Sequence, residues 1–186
     1  MIYWFKNLPS PLYDDKWKPV ISYKWLRESF MAAVYLSQFV LFILFMIYTK
    51  NYIPKVMKYD LNLQVSIPQW VIYISVIAML IIHEILHVAV ILNKGDFSIT
   101  FSNLFFWVTT NAELSKFRYF IYIFLPLLIF TVIPFIISLF ISNDLAHIIR
   151  IIAFGHILFS PADIINSIFT LTKPNKAIFC RGMYYI

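Results

Sequence analysis

The sequence predicts an all-α integral membrane protein with four transmembrane helices and a short β-hairpin between the second and third helix. Of its 186 residues, 61% are hydrophobic and only 13% are charged, whereas a soluble domain needs about 25% charged residues to cover its surface. The apolar residues form stretches long enough to cross a bilayer core of about 30 Å, which takes about 20 helical residues. A single cysteine excludes an internal disulfide and any multi-thiolate metal site.

Four apolar stretches are candidate transmembrane spans, and each is interrupted by few polar residues. The third contains Pro126 and Pro134, which we expect to kink the helix locally without ending it, because neighbouring groups satisfy the carbonyls that a proline leaves free. The predicted spans cover approximately residues 29–48, 67–92, 119–141 and 145–171.

The connection between the second and third spans is rich in aromatic and β-branched residues. Residues 98–101 and 105–110 have strand composition, and Ser102, Asn103 and Leu104 between them can form a turn. This pattern predicts a short β-hairpin next to the inner membrane interface. An ordinary interfacial loop remains the alternative.

The distribution of basic residues predicts the topology. With both termini inside, eleven Lys and Arg residues of the connections and termini lie on the cytoplasmic side and three lie outside, as the positive-inside rule requires. Residues 1–28, with Trp4, Trp17 and Trp25 among lysines, are expected to form a cytoplasmic interfacial arm on membrane lipid. Basic residues placed between apolar runs indicate no nucleic-acid partner.

The second span contains the sequence His83-Glu84-Ile85-Leu86-His87, which matches the H-E-x-x-H pattern. One helical turn separates His83 from His87, so both imidazoles project from one face and can share a metal ion. Glu84 is placed to take the proton of a metal-bound water. Polar groups at this depth are costly, so they are expected to have partners. The alternative is a hydrogen-bonded cluster that only holds helices together.

Two imidazoles need a further protein ligand to form a catalytic zinc site. The fourth span offers His147, His156 and Asp163. Counted along ideal helices, Asp163 lies at the depth of the two histidines, while His156 lies about 10 Å further out. Asp163 is therefore the predicted third ligand. His156 is a candidate second-shell partner or a helix-packing residue, and Asn166, one turn after Asp163, is a candidate for orienting substrate.

The segments around these residues resemble a bacterial membrane family described as "putative zincin peptidase". The resemblance is carried by His83–His87, by Thr109–Lys116 with Leu125-Pro126, by His156–Ile164, and by Lys173–Lys176. It implies a zinc-dependent peptidase with its site buried in a bacterial cell membrane. The arrangement is also similar to site-2 proteases, in which a later helix supplies an Asp ligand, although here Ser160-Pro161-Ala162 precedes Asp163 and Ile164 follows it.

Together these features predict that residues 29–186 form a four-helix membrane metalloprotease domain. Zn²⁺ bound by His83, His87 and Asp163, with Glu84 as the base, would hydrolyse peptide bonds of membrane-associated or transmembrane substrates. One alternative is a non-enzymatic membrane protein with a structural metal or polar cluster. The other is a metal or proton transporter, which the few polar residues in the outer half disfavour.

Overall fold

The computed structural model of the chain describes residues 2–4, 8, 11, 13–58, 69–102, 105–141 and 144–186. These residues are mostly helical. The helices are α1 (Lys24–Glu28), α2 (Phe30–Lys58), α3 (Gln69–Ile91), α4 (Lys116–Leu127), α5 (Ile133–Leu139), α6 (Asp144–Ile157) and α7 (Pro161–Leu171). A π-helical segment, Leu128–Val132, joins α4 to α5 without a break.

Judged by length and apolar composition, three helical segments among the described residues could cross a membrane. A fourth is added if α6 and α7 are counted as one broken span. The segments are Phe30–Lys50, Ile74–Ile91 and Lys116–Leu139. Three or four such helices fit a multi-pass membrane protein, in agreement with the predicted spans. The predicted outer loop at 142–144 falls largely outside the described residues.

The predicted fourth span, residues 145–171, is divided into two helices at Pro161. Helix α6 ends at Ile157, and the amides of the next three residues each bond to a carbonyl three positions earlier, a tighter turn than the α-helical pattern. Pro161 then begins α7. Because proline has no amide hydrogen and a fixed φ, it is disfavoured inside a helix but suits its first turn.

The third predicted span continues through both prolines, as expected. Pro126 lies inside α4, and Pro134 lies in the first turn of α5. Between them the backbone widens into the π-helical segment, where the amide of Ile133 donates to the carbonyl of Leu128. The helical segment therefore runs from Lys116 to Leu139.

The predicted β-hairpin is present. Strands β3 (Phe97–Ser102) and β4 (Phe105–Thr110) pair antiparallel, with Phe97 opposite Thr110 and Ile99 opposite Val108. The predicted turn at 103–104 lies outside the described residues. A strand of the N-terminal arm, β1 (Ile2–Trp4), adds to β3 in parallel, so the sheet order is β1-β3-β4.

A second small sheet was not predicted from the sequence. Its strands have only two or three residues each, too few to show a periodic pattern. The strands are β2 (Lys18–Pro19), β5 (Leu114–Ser115), β6 (Ile178–Cys180) and β7 (Met183–Tyr185). They pair antiparallel in the order β2-β7-β6-β5.

The chain divides into two compact units. One contains Met1–Phe30, Ile81–Pro126 and Ala162–Ile186, and the other contains Met31–Leu80 and Leu127–Pro161. Both sheets belong to the first unit, where residues from α3, α4, the strands and their connections form one buried apolar cluster. Its members are Val20, Ile91, Phe97, Val108, Ala112, Leu114, Tyr119, Ile123, Ala177 and Phe179. In the second unit, the guanidinium of Arg150 donates to the hydroxyl and carbonyl of Ser138, which joins α6 to the end of α5.

Candidate metal site

His83 and His87 lie one turn apart on the same face of α3, as their spacing predicts. Both side chains are buried, each residue being 6% exposed. Their Nε2 atoms are 3.1 Å apart, and the rings meet edge to face with centroids separated by 4.9 Å. The two imidazoles therefore present their Nε2 atoms to one point inside the first unit.

Asp163 reaches the same point from the first turn of α7. Its Oδ2 atom is 3.2 Å from His83 Nε2 and 3.7 Å from His87 Nε2. Pro161 begins the helix, so Asp163 is its third residue. There the carboxylate is favoured by the positive end of the helix dipole. The break before Pro161 thus gives Asp163 its position at a helix N-terminus.

The three donor atoms fit a zinc ion in chemistry and in spacing. Among the described residues, His83, His87 and Asp163 form a group in which one ligand atom from each lies within 4.8 Å of the others. Zinc is bound by imidazole nitrogen and carboxylate oxygen at about 2.0–2.2 Å, so two ligands at the tetrahedral angle lie about 3.3–3.6 Å apart. The observed separations of 3.1, 3.2 and 3.7 Å scatter around this value. Three protein ligands also leave one position open, as in catalytic zinc sites.

The orientation of the His87 ring is set by a backbone carbonyl of α4. His87 Nδ1 lies 2.5 Å from the carbonyl oxygen of Tyr122. A carbonyl can only accept a hydrogen bond, so Nδ1 carries the proton. In the neutral ring, Nε2 then keeps its lone pair, which is the form that binds a metal.

Glu84 lies beside the histidine pair and contacts the hairpin. Its carboxylate lies near the backbone amide of Val108 in β4. The hydroxyl of Tyr122 donates to the carbonyl of the same Val108 residue at 2.8 Å. Strand β4 therefore passes next to the candidate site and is bonded to α4 there.

The other two candidates from the sequence have different surroundings. His156 is fully buried in the second unit, where its Nδ1 is 2.9 Å from the hydroxyl of Thr131 and its ring lies near Phe130. It is not a member of the metal-binding group found among the described residues. Asn166 lies on α7, where its backbone carbonyl accepts a hydrogen bond from Thr170. A role for either residue in the reaction stays a prediction.

Sequence reasoning did not find the contributions of Tyr122 and Val108. Neither has a side chain typical of a metal site, and both act in part through backbone groups. The sequence did contain one indication of the role of the Tyr122 carbonyl, because Tyr122 lies four residues before Pro126. A proline inside a helix frees the carbonyl at that position.

The protein is mostly helical, and its apolar helices are long enough to cross a membrane. Its HExxH histidine pair converges on a carboxylate, which makes it a candidate metal-dependent hydrolase. Comparison with protein families agrees with this class. The family described as "Putative zincin peptidase" matches residues 76–178, more than half of the chain, and the protein belongs to that family. No curated protein and no solved structure gave a significant match.

Proposed function

We propose that the protein is a zinc-dependent, membrane-embedded peptidase that hydrolyses peptide bonds of membrane-associated or transmembrane substrates. The observation that carries this proposal is the convergence of His83 Nε2, His87 Nε2 and Asp163 Oδ2 beside Glu84, on apolar helices. The family supports a metallopeptidase of the zincin type. The membrane-length helices support the choice of substrate.

In this proposal His83, His87 and Asp163 hold Zn²⁺, and Glu84 is the catalytic base. When bound, zinc lowers the pKa of water and polarises a peptide carbonyl. The Glu84 carboxylate accepts the proton of the attacking water and delivers it to the leaving amine. Tyr122 holds a proton on His87 Nδ1, so Nε2 is the nitrogen that would bind zinc. Asp163 offsets part of the metal's double charge, which matters where the surroundings are apolar.

We further propose that the substrate is held as an extended strand along β4. This strand is at the edge of its sheet, and edge strands bind peptides through main-chain hydrogen bonds. Val108 is the residue of β4 whose amide contacts Glu84. A substrate carbonyl would replace the Glu84 carboxylate as the acceptor for this amide. Substrate binding would then release Glu84 for proton transfer.

The proposed mechanism is of the site-2 protease type, in which a histidine pair on one helix is completed by an aspartate from a later one. Asp163 on α7 supplies the later ligand in this chain. The proposed setting is a bacterial plasma membrane with both termini in the cytoplasm, supported by the excess of basic residues in the termini and in the connection that contains the hairpin. Its partners are then membrane lipid and a peptide or transmembrane substrate.

A non-enzymatic metal or polar cluster is the second candidate function. It is favoured by the contacts that His87 and Glu84 make with α4 and β4, since these would also hold the elements together. Proteolysis separates the two candidates, because a structural cluster needs no base positioned beside the metal ligands.

The test is zinc content and peptide cleavage by the purified protein in lipid nanodiscs, with His87→Ala as the matched variant. We expect about one zinc per wild-type chain, cleavage of membrane-anchored fluorogenic peptides, and loss of both in His87→Ala. Zinc binding without cleavage across a varied peptide panel would favour the structural cluster. Absence of zinc from the wild-type protein after reconstitution would contradict the proposal.

A further inference from the structure

The carbonyl of Tyr122 lacks the donor that an α-helix ordinarily supplies to it. In an α-helix, the carbonyl of each residue accepts the amide of the residue four positions later. Four positions after Tyr122 is Pro126, which lies inside α4 and has no amide hydrogen. The Tyr122 oxygen is therefore available to a donor from outside the helix.

That donor is His87 Nδ1, at 2.5 Å. The Tyr122 ring also lies against the His87 ring, with centroids 5.1 Å apart. A second feature of Tyr122, its hydroxyl, is bonded to Val108 at 2.8 Å. The residue is thus fixed at both ends, so its carbonyl points to His87 from a constrained position.

We propose that Pro126 is a positioning residue for the metal ligand His87. By removing one amide from α4, it leaves the Tyr122 carbonyl free to hold the proton of His87 on Nδ1. The Nε2 lone pair of His87 then faces the metal position that it shares with His83 Nε2 and Asp163 Oδ2. These two atoms lie 3.1 and 3.7 Å from His87 Nε2. The inference rests on the proposed function, since it takes His87 to be a zinc ligand.

The opposing interpretation is that Pro126 only fills space. Its side chain is less than 2% exposed, so replacing it with a smaller residue leaves a cavity and lowers stability. The two interpretations predict different measurements. A packing role predicts that metal affinity falls only together with the stability of the metal-free protein. A positioning role predicts that metal affinity falls even where volume is kept and the helical hydrogen bond is restored.

Two substitutions test this distinction. Pro126→Val restores the amide and keeps most of the side-chain volume, and Pro126→Ala restores the amide without it. Pro134→Val is the matched control, because it makes the same chemical change at the other proline of the Lys116–Leu139 segment. For each protein, three quantities are measured: the zinc dissociation constant, the thermal midpoint of the metal-free form, and the ¹⁵N shifts of the histidine rings in that form.

We expect zinc affinity to fall about 10- to 100-fold in both Pro126 variants, the usual effect of losing a partner behind a metal-binding histidine. The His87 ring should change from a single Nδ1–H tautomer to a mixture. Pro134→Val should leave affinity and tautomer unchanged. The thermal midpoint of metal-free Pro126→Val should not fall below that of Pro134→Val.

Unchanged zinc affinity and an unchanged His87 tautomer in both Pro126 variants would overturn the inference. So would a loss of affinity that appears only together with a lower thermal midpoint. The ring shifts are recorded without metal, so they test the positioning of His87 even if wild-type protein binds no zinc. If the wild-type protein binds no zinc, the proposed function is refuted, but the positioning of His87 by Pro126 is not.

Discussion

The Nε2 atoms of His83 and His87 lie 3.1 Å apart on successive turns of α3, both inside the protein. The Oδ2 atom of Asp163 lies 3.2 Å from His83 Nε2. When both rings are neutral with lone pairs on Nε2, three hydrogen-bond acceptors converge on one point. Such acceptors repel one another unless they share a cation. A cation shared by the three groups, whether a metal ion or a proton on one imidazole, therefore favours the arrangement.

The substitution Glu84→Gln should abolish peptidase activity and leave zinc bound. The amide cannot accept the proton of the attacking water, and Glu84 is not in the group of metal-binding side chains among the described residues. We expect at least a 100-fold fall in cleavage rate, a magnitude typical of losing a general base. Zinc stoichiometry is measured on the same preparation. Loss of zinc in proportion to activity would mean that Glu84 is a ligand.

The substitution Asp163→Ala should remove zinc, while His156→Ala should retain it. Asp163 contributes the carboxylate oxygen near both histidines, whereas His156 is bonded to Thr131 in the other unit. Zinc content of the two purified variants, prepared in parallel, decides between the two residues. Retained zinc in Asp163→Ala with loss in His156→Ala would reverse the ligand assignment.

The proposed topology places the segment between α7 and β6 in the cytoplasm. Cys180, the natural thiol at the end of β6, is a poor reporter because it is only 3% exposed and burial raises the pKa of its thiol. Lys176 is exposed in the same segment. A membrane-impermeant maleimide should label Lys176→Cys in permeabilised cells and not in intact cells. The wild-type chain gives the background from Cys180, and labelling in intact cells would place this segment outside.

Gly95→Ala should destabilise the first unit. A Cβ at Gly95 would meet the backbone of Ala112 at 3.1 Å. The same contact region is closed by hydrogen bonds from the Thr110 hydroxyl and the Asn111 amide to the carbonyl of Asp96. Because the obstruction is backbone, we expect a loss of about 1–3 kcal/mol, as for other overpacked sites. This loss of stability is measured as a lower thermal midpoint of the Gly95→Ala protein in detergent.

Gly155→Ala is the control for that measurement. A Cβ at Gly155 meets nothing within 4 Å, and the residue lies in α6. Alanine favours a helix over glycine by about 1 kcal/mol. The thermal midpoint should therefore stay level or rise. An equal fall in both variants would show that the Gly95–Ala112 contact is not the cause.

Local sequence patterns were sufficient for the apolar helices, the hairpin and the histidine pair. Helical spacing alone puts His83 and His87 on one face, since it depends only on residues within one turn. The strand composition of residues 105–110 likewise predicted β4 within its own segment. The strands of the second sheet, two or three residues long, were beyond such a prediction because pairing between distant segments defines them.

The sequence by itself determined the candidate metal-binding face of α3, the Glu84 carboxylate beside it and, from its depth in the fourth span, Asp163 as the candidate third ligand. Only the tertiary structure decided how these groups are brought together and held. Asp163 arrives from a separate helix that begins at Pro161, and the carbonyl that holds His87 comes from Tyr122, 35 residues further along the chain. A periodic pattern is encoded by neighbours in sequence, whereas these contacts depend on how distant segments pack. The face of α3 and its partner Asp163 could therefore be predicted from the sequence, whereas the backbone contact that holds His87 required the folded chain.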